Sequence, residues 1–233
     1  MKIIVDYDNL HPLDRENGLP YFAQKMLSSL DRTLTALPND LTIRIYGGWY
    51  ADRAFTRSAQ AVAADIATNF PMTFNGLKTK KPILVRAEQA VALEAAPSER
   101  LYYTYRQKSP QYNLKVLEDA EIGCTETSCP RDLFRKAFRK RKCPQSSCPA
   151  TNPSIIVRSE QKLVDTMMAI DLGTLAESQE HIVLASADHD LWPAILALLY
   201  RGIRITHLLP NNQTSFVSNF IPQRFGTYTF TYI

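Results

Sequence analysis

Short apolar runs that end in polar residues alternate with longer helical segments, and this alternation constrains the fold more than any other feature of the chain. Residues 3–5 form the first apolar run, and a helical repeat of apolar side chains follows in residues 21–37. A β-rich run at residues 41–50 then precedes a second helical segment at residues 54–70. This order is typical of a parallel sheet with helices on both faces. The sequence therefore predicts an α/β fold with a doubly wound, mostly parallel sheet.

The same alternation resumes near the C-terminus. The residue pattern predicts a helix at residues 159–178, a buried strand at 181–188, a helix at 191–202 and a strand at 203–209. We therefore expect these elements to complete the sheet that begins at the N-terminus.

The segment between the two alternating regions has a different pattern. Residues 82–94 and 100–107 are strand-like and predict a β-hairpin, and a cluster of cysteines follows them. We therefore predict one domain formed by residues 1–70 and 154–233, interrupted by an insertion at residues 71–153.

Carboxylates lie where two of the predicted strands end. Asp6 follows the first apolar run, and Asp188 ends the strand of residues 181–188. The carboxyl ends of parallel strands share one edge of a sheet, where open α/β folds bind ligands. Asp165 approaches from a third direction, near the start of a predicted helix. Converging carboxylates repel one another unless a divalent cation neutralises them. The three aspartates therefore predict a Mg²⁺ or Mn²⁺ site that activates water and stabilises charge on a phosphodiester.

All four cysteines of the chain lie in one short stretch, as two C-x4-C pairs separated by thirteen residues. In a reducing compartment, clustered cysteine pairs bind Zn²⁺ more often than they form disulfides. We therefore predict a structural zinc module at about residues 122–149, and two redox-active pairs or unpaired thiols remain the alternatives. The predicted ligands are Cys124, Cys129, Cys143 and Cys148.

Residues 131–142 carry seven basic side chains and one acidic side chain. At helical spacing, one stripe is basic and another contains Phe134, Ala137 and Phe138. A basic stripe attracts phosphates, so we predict a nucleic-acid-binding face. The alternative is a solvated charged helix whose aromatic side chains pack on the main domain. The basic stripe consists of Arg131, Arg135, Arg139 and Lys142.

The chain resembles the NYN branch of the PIN-like nucleases. That family carries, in order, a strand ending in D-x-x-N, a central K-x-V-D and a strand ending in S-x-D-x-D. The matching stretches here are Asp6-Tyr7-Asp8-Asn9, Lys162-Leu163-Val164-Asp165 and Ser186-Ala187-Asp188-His189-Asp190. The family also has a further acid after the central motif and a Gly-x-x-hydrophobic stretch, here Asp171 and Gly202-Ile203-Arg204-Ile205. The resemblance covers residues 1–70 and 154–210.

This resemblance implies a PIN-like, Rossmannoid catalytic domain and a metal-dependent nuclease, that is, a hydrolase of phosphodiester bonds. It favours RNA over DNA as the substrate, because the family leans towards RNA. It also implies that Asn9, Lys162 and Asp190 belong to the acidic site. The insertion departs from the minimal family pattern and leaves the choice of substrate open.

Several of these residues also have structural interpretations. Asp190 precedes Leu191 and is suited to capping the following helix. Asn9 is suited to stabilising a turn, and Lys162 to a place on the surface. Asp171 lies about 240° around the helix from Asp165, so we expect it to face solvent rather than to bind metal.

Two other functions remain open. The stretch IIVDYDNL also resembles the D-x-D opening of haloacid-dehalogenase-like phosphatases, with Asp6 as nucleophile and Asp8 as acid/base. Those enzymes place Ser or Thr after a second strand, and here that strand ends in YGGWY without such a hydroxyl. The other alternative is a nucleic-acid-binding module whose acidic site has lost activity. The presence of all three aspartates disfavours this second alternative.

The sequence also bears on location. No stretch approaches the roughly 20 apolar residues of a membrane-spanning helix. Lys2 is followed by three apolar residues and then by Asp6, which does not resemble a signal peptide. We therefore expect a cytoplasmic protein without a membrane partner, and nothing in the sequence indicates its oligomeric state.

Overall fold

A computed structural model describes residues 1–35, 37–76, 78, 81–108, 131–140, 142, 147–148, 158–161, 163–210 and 225–233. In chain order, the strands are β1 (Lys2–Asp6), β2 (Asp40–Tyr46), β3 (Tyr50–Ala51), β4 (Ala54–Phe55), β5 (Met72–Asn75), β6 (Pro82–Gln89), β7 (Ala92–Leu93), β8 (Ala96–Arg100), β9 (Tyr105–Lys108), β10 (Arg158–Gln161), β11 (His181–Ala185), β12 (Arg204–Leu209) and β13 (Tyr228–Tyr232). The helices are α1 (Pro12–Glu16), α2 (Leu19–Thr33), α3 (Arg57–Asn69), α4 (Arg131–Lys140), α5 (Val164–Leu175) and α6 (Trp192–Tyr200), and a 3-10 turn at His189–Leu191 precedes α6.

A seven-stranded sheet forms the centre of the fold, in the order β13-β12-β11-β1-β2-β6-β5. All neighbouring strands in it are parallel except β5, which runs antiparallel to β6. The predicted α/β class with a mostly parallel sheet is therefore confirmed.

Helices cover both faces of this sheet, because successive side chains of a strand point to opposite faces. Ile3 and Val5 of β1 lie in one core cluster with apolar residues of α2 and α3. Ile4 lies in a second cluster with residues of α5 and α6. Of the six apolar positions that predicted the first long helix, Leu34 and Leu37 lie beyond the end of α2. The other four are buried on α2: Phe22, Met26, Leu27 and Leu30.

The chain divides into two compact units. One contains Met1–Tyr105 and Gln161–Ile233, and the other contains Arg106–Glu160. The first unit includes the whole seven-stranded sheet. The second includes α4, most of β9 and β10, and these two strands are neighbours.

This division differs from the predicted segments, which placed residues 71–105 in the insertion. The difference arises because β6 pairs in parallel with β2, and Ile83 and Val85 of β6 belong to the core. β6 also pairs with β5, whereas β7 pairs antiparallel with β8, so the two predicted strand segments meet only near Ala92 and Arg100. Local residue patterns identify a strand but not its partner.

The order of the strands locates a ligand-binding edge. From β1 the chain passes through α2 to β2 on one side, whereas from β11 it passes through α6 to β12 on the other side. β1 and β11 are direct neighbours, so the strand order reverses between them. In open α/β sheets, ligands bind outside the carboxyl ends of the strands at this point.

No helix in the described parts of the chain combines the length and the apolar character needed to cross a membrane.

Candidate metal centre

Asp6, Asp165 and Asp188 come together at the carboxyl edge of the sheet. Asp6 is the last residue of β1, Asp165 lies in the first turn of α5, and Asp188 caps the 3-10 turn that follows β11. One carboxylate oxygen from each residue lies within 4.8 Å of those of the other two. We call this group the aspartate trio. It joins elements that are far apart in sequence at the point where the strand order reverses.

Asp6 is fully buried and is held by hydrogen bonds from two sides. The Asn9 backbone N–H donates to Oδ1 at 3.3 Å, and the Asn9 side-chain amide donates to Oδ2. The hydroxyl of Ser186 also donates to Oδ2, at 3.2 Å. These donors fix the orientation of the carboxylate, which is what a ligand on a rigid scaffold requires.

The surroundings of Asp6 favour its protonated form in the absence of a cation. Burial, the largest cause, raises the pKa of Asp6 to about 7. The negative charges of Asp8 and Asp165 raise this pKa further. The hydrogen bonds from Asn9 and Ser186 act in the opposite direction and favour the ionised form.

Ser186 links two members of the trio. It is buried directly after β11, and besides donating to Asp6 it accepts the backbone N–H of Asp188 at 3.0 Å. Asp188 in turn accepts the backbone N–H of Asp190 at Oδ1, at 2.8 Å. The chain therefore turns sharply after β11 and presents the half-buried Asp188 carboxylate beside Asp6.

Asp165 reaches the trio from a helix N-terminus. Leu163, the residue before α5, has a φ of 66°, in the left-handed region that side chains disfavour. This conformation turns the chain from residue 163 into α5, so that Asp165 lies in the first helical turn. A carboxylate there also interacts favourably with the exposed backbone N–H groups of the helix.

The other predicted members of the site lie elsewhere or act indirectly. Asp190 is exposed and is not among the three carboxylates that converge. It does not cap α6 either, because Asp188 caps the 3-10 turn and Leu191 occupies the position before α6. Asn9 contacts Asp6 through both its backbone and its side chain, so it stabilises the turn and orients the carboxylate together. Lys162 lies outside the described residues.

Asp8 contacts a different part of the edge. Its carboxylate accepts the backbone N–H of Gly48 at 2.8 Å, and the residue is exposed. Asp8 therefore ties the loop after β1 to the loop after β2, and its charge acts on Asp6 from a distance.

Asp171 does not face solvent, and that prediction is wrong. The residue is fully buried, and its Oδ2 accepts the hydroxyl of Tyr46 at 2.6 Å. Oδ1 accepts the backbone N–H of Glu94 at 2.9 Å, and Arg44 Nε lies 3.4 Å from Oδ2. Asp171 follows Met167 by four residues, so it lies on the buried side of α5.

Only part of the predicted insertion chemistry falls on described residues. Cys148 is half-buried and is not in a disulfide, whereas Cys124, Cys129 and Cys143 lie outside the described residues. The basic segment of residues 131–140 forms α4, as the helical spacing predicted. On or just after this helix, Arg139 and Lys142 are exposed and Arg135 is half-buried. The backbone of Arg131 belongs to α4, and its side chain is outside the described part.

Sequence reasoning did not identify His207 and Tyr228, which lie behind the site. His207 is fully buried in β12 and contacts both the Ser186 carbonyl and the Tyr228 hydroxyl at 2.8 Å. A histidine within the apolar run RITHLL is the available signal, because a buried imidazole needs polar partners.

The trio has the donor chemistry of a site for a hard divalent cation. Mg²⁺ and Mn²⁺ favour carboxylate oxygens, and one or two protein carboxylates per ion leave positions for water and phosphate. Among the described residues, neither Asp6 nor Asp188 forms an ion pair with a lysine or arginine. A divalent cation would balance the charges of Asp6 and Asp188 at this edge of the sheet.

No protein-family model, curated protein or solved structure matches this chain.

Proposed function

We propose that this protein is a Mg²⁺- or Mn²⁺-dependent nuclease that hydrolyses phosphodiester bonds, with RNA favoured over DNA. The observation that carries the proposal is the convergence of Asp6, Asp165 and Asp188 within 4.8 Å. Their position where the strand order reverses supports it, because that edge is the usual ligand site of an open α/β sheet. The ordered resemblance to the NYN branch of the PIN-like nucleases supports the same activity and a PIN-like, Rossmannoid domain.

The residues of the chain would supply a rigid, anionic ligand set. When bound, a divalent cation activates water and stabilises the negative charge that develops on the phosphodiester. Asn9 and Ser186 orient the Asp6 carboxylate, and the N–H of residue 190 orients Asp188. Such supporting hydrogen bonds fix ligand geometry and typically contribute about 10- to 100-fold to metal affinity or activity.

We further propose that the second unit contributes substrate binding through α4 and a structural Zn²⁺ bound by its cysteines. Two features of α4 support nucleic-acid contact. Arg139 and Lys136 are exposed cations, and the ring of Phe134, on another side of the same helix, is 57% exposed. Basic side chains bind phosphates, and exposed aromatic rings stack on unpaired bases.

One panel of assays tests the nuclease proposal. The purified protein is incubated with labelled single-stranded RNA, single-stranded DNA and a phosphomonoester, with Mg²⁺, with Mn²⁺ or with a chelator. We expect metal-dependent cleavage of RNA, with slower cleavage of DNA.

Asp188→Asn is the diagnostic variant, because Asn keeps the Oδ1 acceptor for residue 190 and removes the ligand charge. We expect cleavage to fall by at least ~100-fold with the fold intact. Glu177→Gln is the matched control, since it removes the same charge from an exposed position beyond the other end of α5. Equal activity of the wild type and Asp188→Asn would contradict the proposal.

The same panel separates the two alternatives. Hydrolysis of the phosphomonoester without cleavage of nucleic acid would indicate the phosphatase-like chemistry suggested by Asp6 and Asp8. Binding of RNA without metal-dependent cleavage would indicate an inactive nucleic-acid-binding module.

A further inference from the structure

A buried chain of hydrogen bonds leads from β13 to the aspartate trio. The ring nitrogens of His207 on β12 face two partners: Nε2 lies 2.8 Å from the Ser186 carbonyl oxygen, and Nδ1 lies 2.8 Å from the Tyr228 hydroxyl. A carbonyl oxygen only accepts, so Nε2 carries the hydrogen. Nδ1 of the neutral ring is then the acceptor, and the Tyr228 hydroxyl donates to it.

The chain continues from Ser186 to two members of the trio. The Ser186 hydroxyl donates to Asp6 Oδ2 at 3.2 Å and accepts the N–H of Asp188 at 3.0 Å. Residue 186 is therefore held at its carbonyl by His207 and at its hydroxyl by the Asp6 carboxylate and the Asp188 backbone N–H. A displacement of this one residue would change the positions of both carboxylates.

We propose that His207 and Tyr228 are positioning residues for the metal centre, holding Ser186 so that Asp6 and Asp188 keep the spacing that a divalent cation requires. This inference rests on the proposed metal-dependent function. Neither residue would touch the cation or the substrate. Their effect would pass through one serine that contacts the Asp6 carboxylate and the backbone N–H of Asp188.

The burial of this pair suits a fixed hydrogen-bonding role. Burial lowers the pKa of His207 to about 4, so the ring is neutral at neutral pH and keeps one tautomer. A neutral ring also places no cation behind the trio that would compete with a metal ion. Tyr228 packs edge-on against Trp192, with 5.8 Å between ring centroids, which fixes its hydroxyl relative to β12.

A histidine that only satisfies the core would have the same contacts, so the test must separate metal binding from stability. The dissociation constant of Mn²⁺ is measured from the electron paramagnetic resonance signal of free Mn²⁺, and the urea midpoint is measured on the same samples. Tyr228→Phe removes the donor to Nδ1 and retains the ring that packs on Trp192. We expect this variant to bind Mn²⁺ about 10-fold more weakly.

Two substitutions at position 207 provide a rescue comparison. His207→Leu removes both hydrogen bonds and should weaken Mn²⁺ binding by about 10- to 100-fold. His207→Gln places an amide N–H near the position of Nε2, so it should restore part of the lost affinity. If His207→Leu does not fold, Tyr228→Phe still decides the question.

Thr206→Val is the control variant. It removes a buried hydroxyl from the residue next to His207, where the hydroxyl contacts His181 and Thr229 instead of Ser186. It should lower the urea midpoint and leave Mn²⁺ affinity at the wild-type value. If the wild type binds Mn²⁺ and Tyr228→Phe binds it equally well, the positioning role is overturned and the proposed function stands. If the wild type itself does not bind Mn²⁺, both are overturned.

Discussion

Asp6 is the residue at which protonation would compete most directly with the proposed metal binding. Its pKa rises from 3.8 to about 7 in the folded, metal-free protein, chiefly because the carboxylate is buried. A bound cation requires the ionised form, so at a pH below about 7 the metal must displace a proton. We expect the Mn²⁺ dissociation constant to rise about tenfold for each pH unit below 7 and to be nearly constant above pH 8.

Calorimetric titrations of the metal-free protein at pH 6, 7 and 8 test this expectation. Repeating them in two buffers with different ionisation enthalpies counts the released protons, and we expect close to one proton per Mn²⁺ at pH 6. The Asp188→Asn variant should bind more weakly at every pH with the same pH dependence, because Asp6 remains. A Mn²⁺ affinity that does not change between pH 6 and 8 would contradict this account of Asp6.

The same shift predicts how stability depends on pH. Because the folded pKa of Asp6 lies above its unfolded value, the residue stabilises the fold most fully below about pH 4. This contribution is lost as the pH rises through about 7, where the buried group ionises. The stabilising effect of added Mn²⁺ should therefore be larger at pH 8 than at pH 6, as measured by urea unfolding with and without a chelator.

At the residue scale, the sequence predicted the carboxylates at the ends of the strands better than the buried hydrogen bonds that support them. Asp6 and Asp188 were identifiable because an apolar run followed by a carboxylate indicates the edge of a parallel sheet. Asp190 lies two residues after Asp188 and also carries a carboxylate. The 3-10 turn, which the sequence did not predict, determines that Asp188 and not Asp190 lies beside Asp6 and Asp165. The contacts of His207 are with residues on or next to the two neighbouring strands, so local patterns could not reveal them.

At the scale of elements, α5 is anchored to β2 by a buried ionic network. Asp171 accepts the Tyr46 hydroxyl and lies beside Arg44, which also contacts Glu88 and Glu94. Burial, opposed by the Arg44 charge, raises the pKa of Tyr46 well above its usual range, so its hydroxyl remains a donor. Asp165 lies in the first turn of the same helix, so the contacts of Asp171 also help to fix the position of Asp165 relative to Asp6 and Asp188.

We expect Asp171→Ala to lower the free energy of unfolding by about 3 kcal/mol or more, because it leaves buried partners without their acceptor. Tyr46→Phe should cost less, about 1–2 kcal/mol, since it removes one hydrogen bond and keeps the ring. Urea unfolding measures both values, and Glu177→Ala, at an exposed position just beyond the C-terminal end of α5, serves as the control. A loss below about 1 kcal/mol for Asp171→Ala would show that the network is dispensable.

The prediction for Asp171 was wrong because its position around α5 was compared with Asp165 instead of with the buried residues of the helix. Relative to Asp165, the residue lies on the far side of the helix. Relative to Met167 and Leu175, each four residues away, it lies in the middle of the buried side. A charged residue at such a position indicates a buried partner, and Arg44 within the apolar strand β2 is that partner.

At the scale of the whole molecule, the cysteine pairs predict a metal in the second unit that differs from the metal proposed for the trio. Four thiolates bind Zn²⁺ in a tetrahedral site with Zn–S distances of about 2.3 Å. We expect elemental analysis of freshly purified protein to find close to one zinc per chain, and Cys148→Ser to lower that content. Disulfides, or no zinc, in protein kept under reducing conditions would contradict the prediction.

The two metals should also be separable by chelation. Weak chelators should remove Mg²⁺ or Mn²⁺ from a site that keeps water ligands, whereas a closed thiolate site should retain Zn²⁺. Cleavage should then return on adding Mg²⁺ or Mn²⁺ alone. A requirement for added Zn²⁺ would contradict this separation.

We expect α4 to contribute to RNA binding and the aspartate trio to contribute to the chemistry. If α4 binds phosphates while the trio performs the chemistry, replacing both Arg135 and Arg139 with Ala should weaken RNA binding and make its salt dependence shallower. Each lost phosphate contact should reduce the slope of log K against log salt by about 0.7 for single strands. Cleavage at saturating RNA should change much less, since these contacts are equally strong in the ground and transition states.

The control for this pair removes the same charge from exposed arginines elsewhere, as Arg57→Ala with Arg201→Ala. If net charge alone controls affinity, both double variants should lose RNA binding equally. If α4 is a binding face, only the Arg135 and Arg139 variant should show a smaller slope of log K against log salt. Fluorescence anisotropy from low to moderate salt, in the presence of a chelator, measures this slope. An unchanged slope would mean that α4 is a solvated charged helix. Lost cleavage with unchanged binding would mean that Arg135 or Arg139 contributes to catalysis instead of to binding.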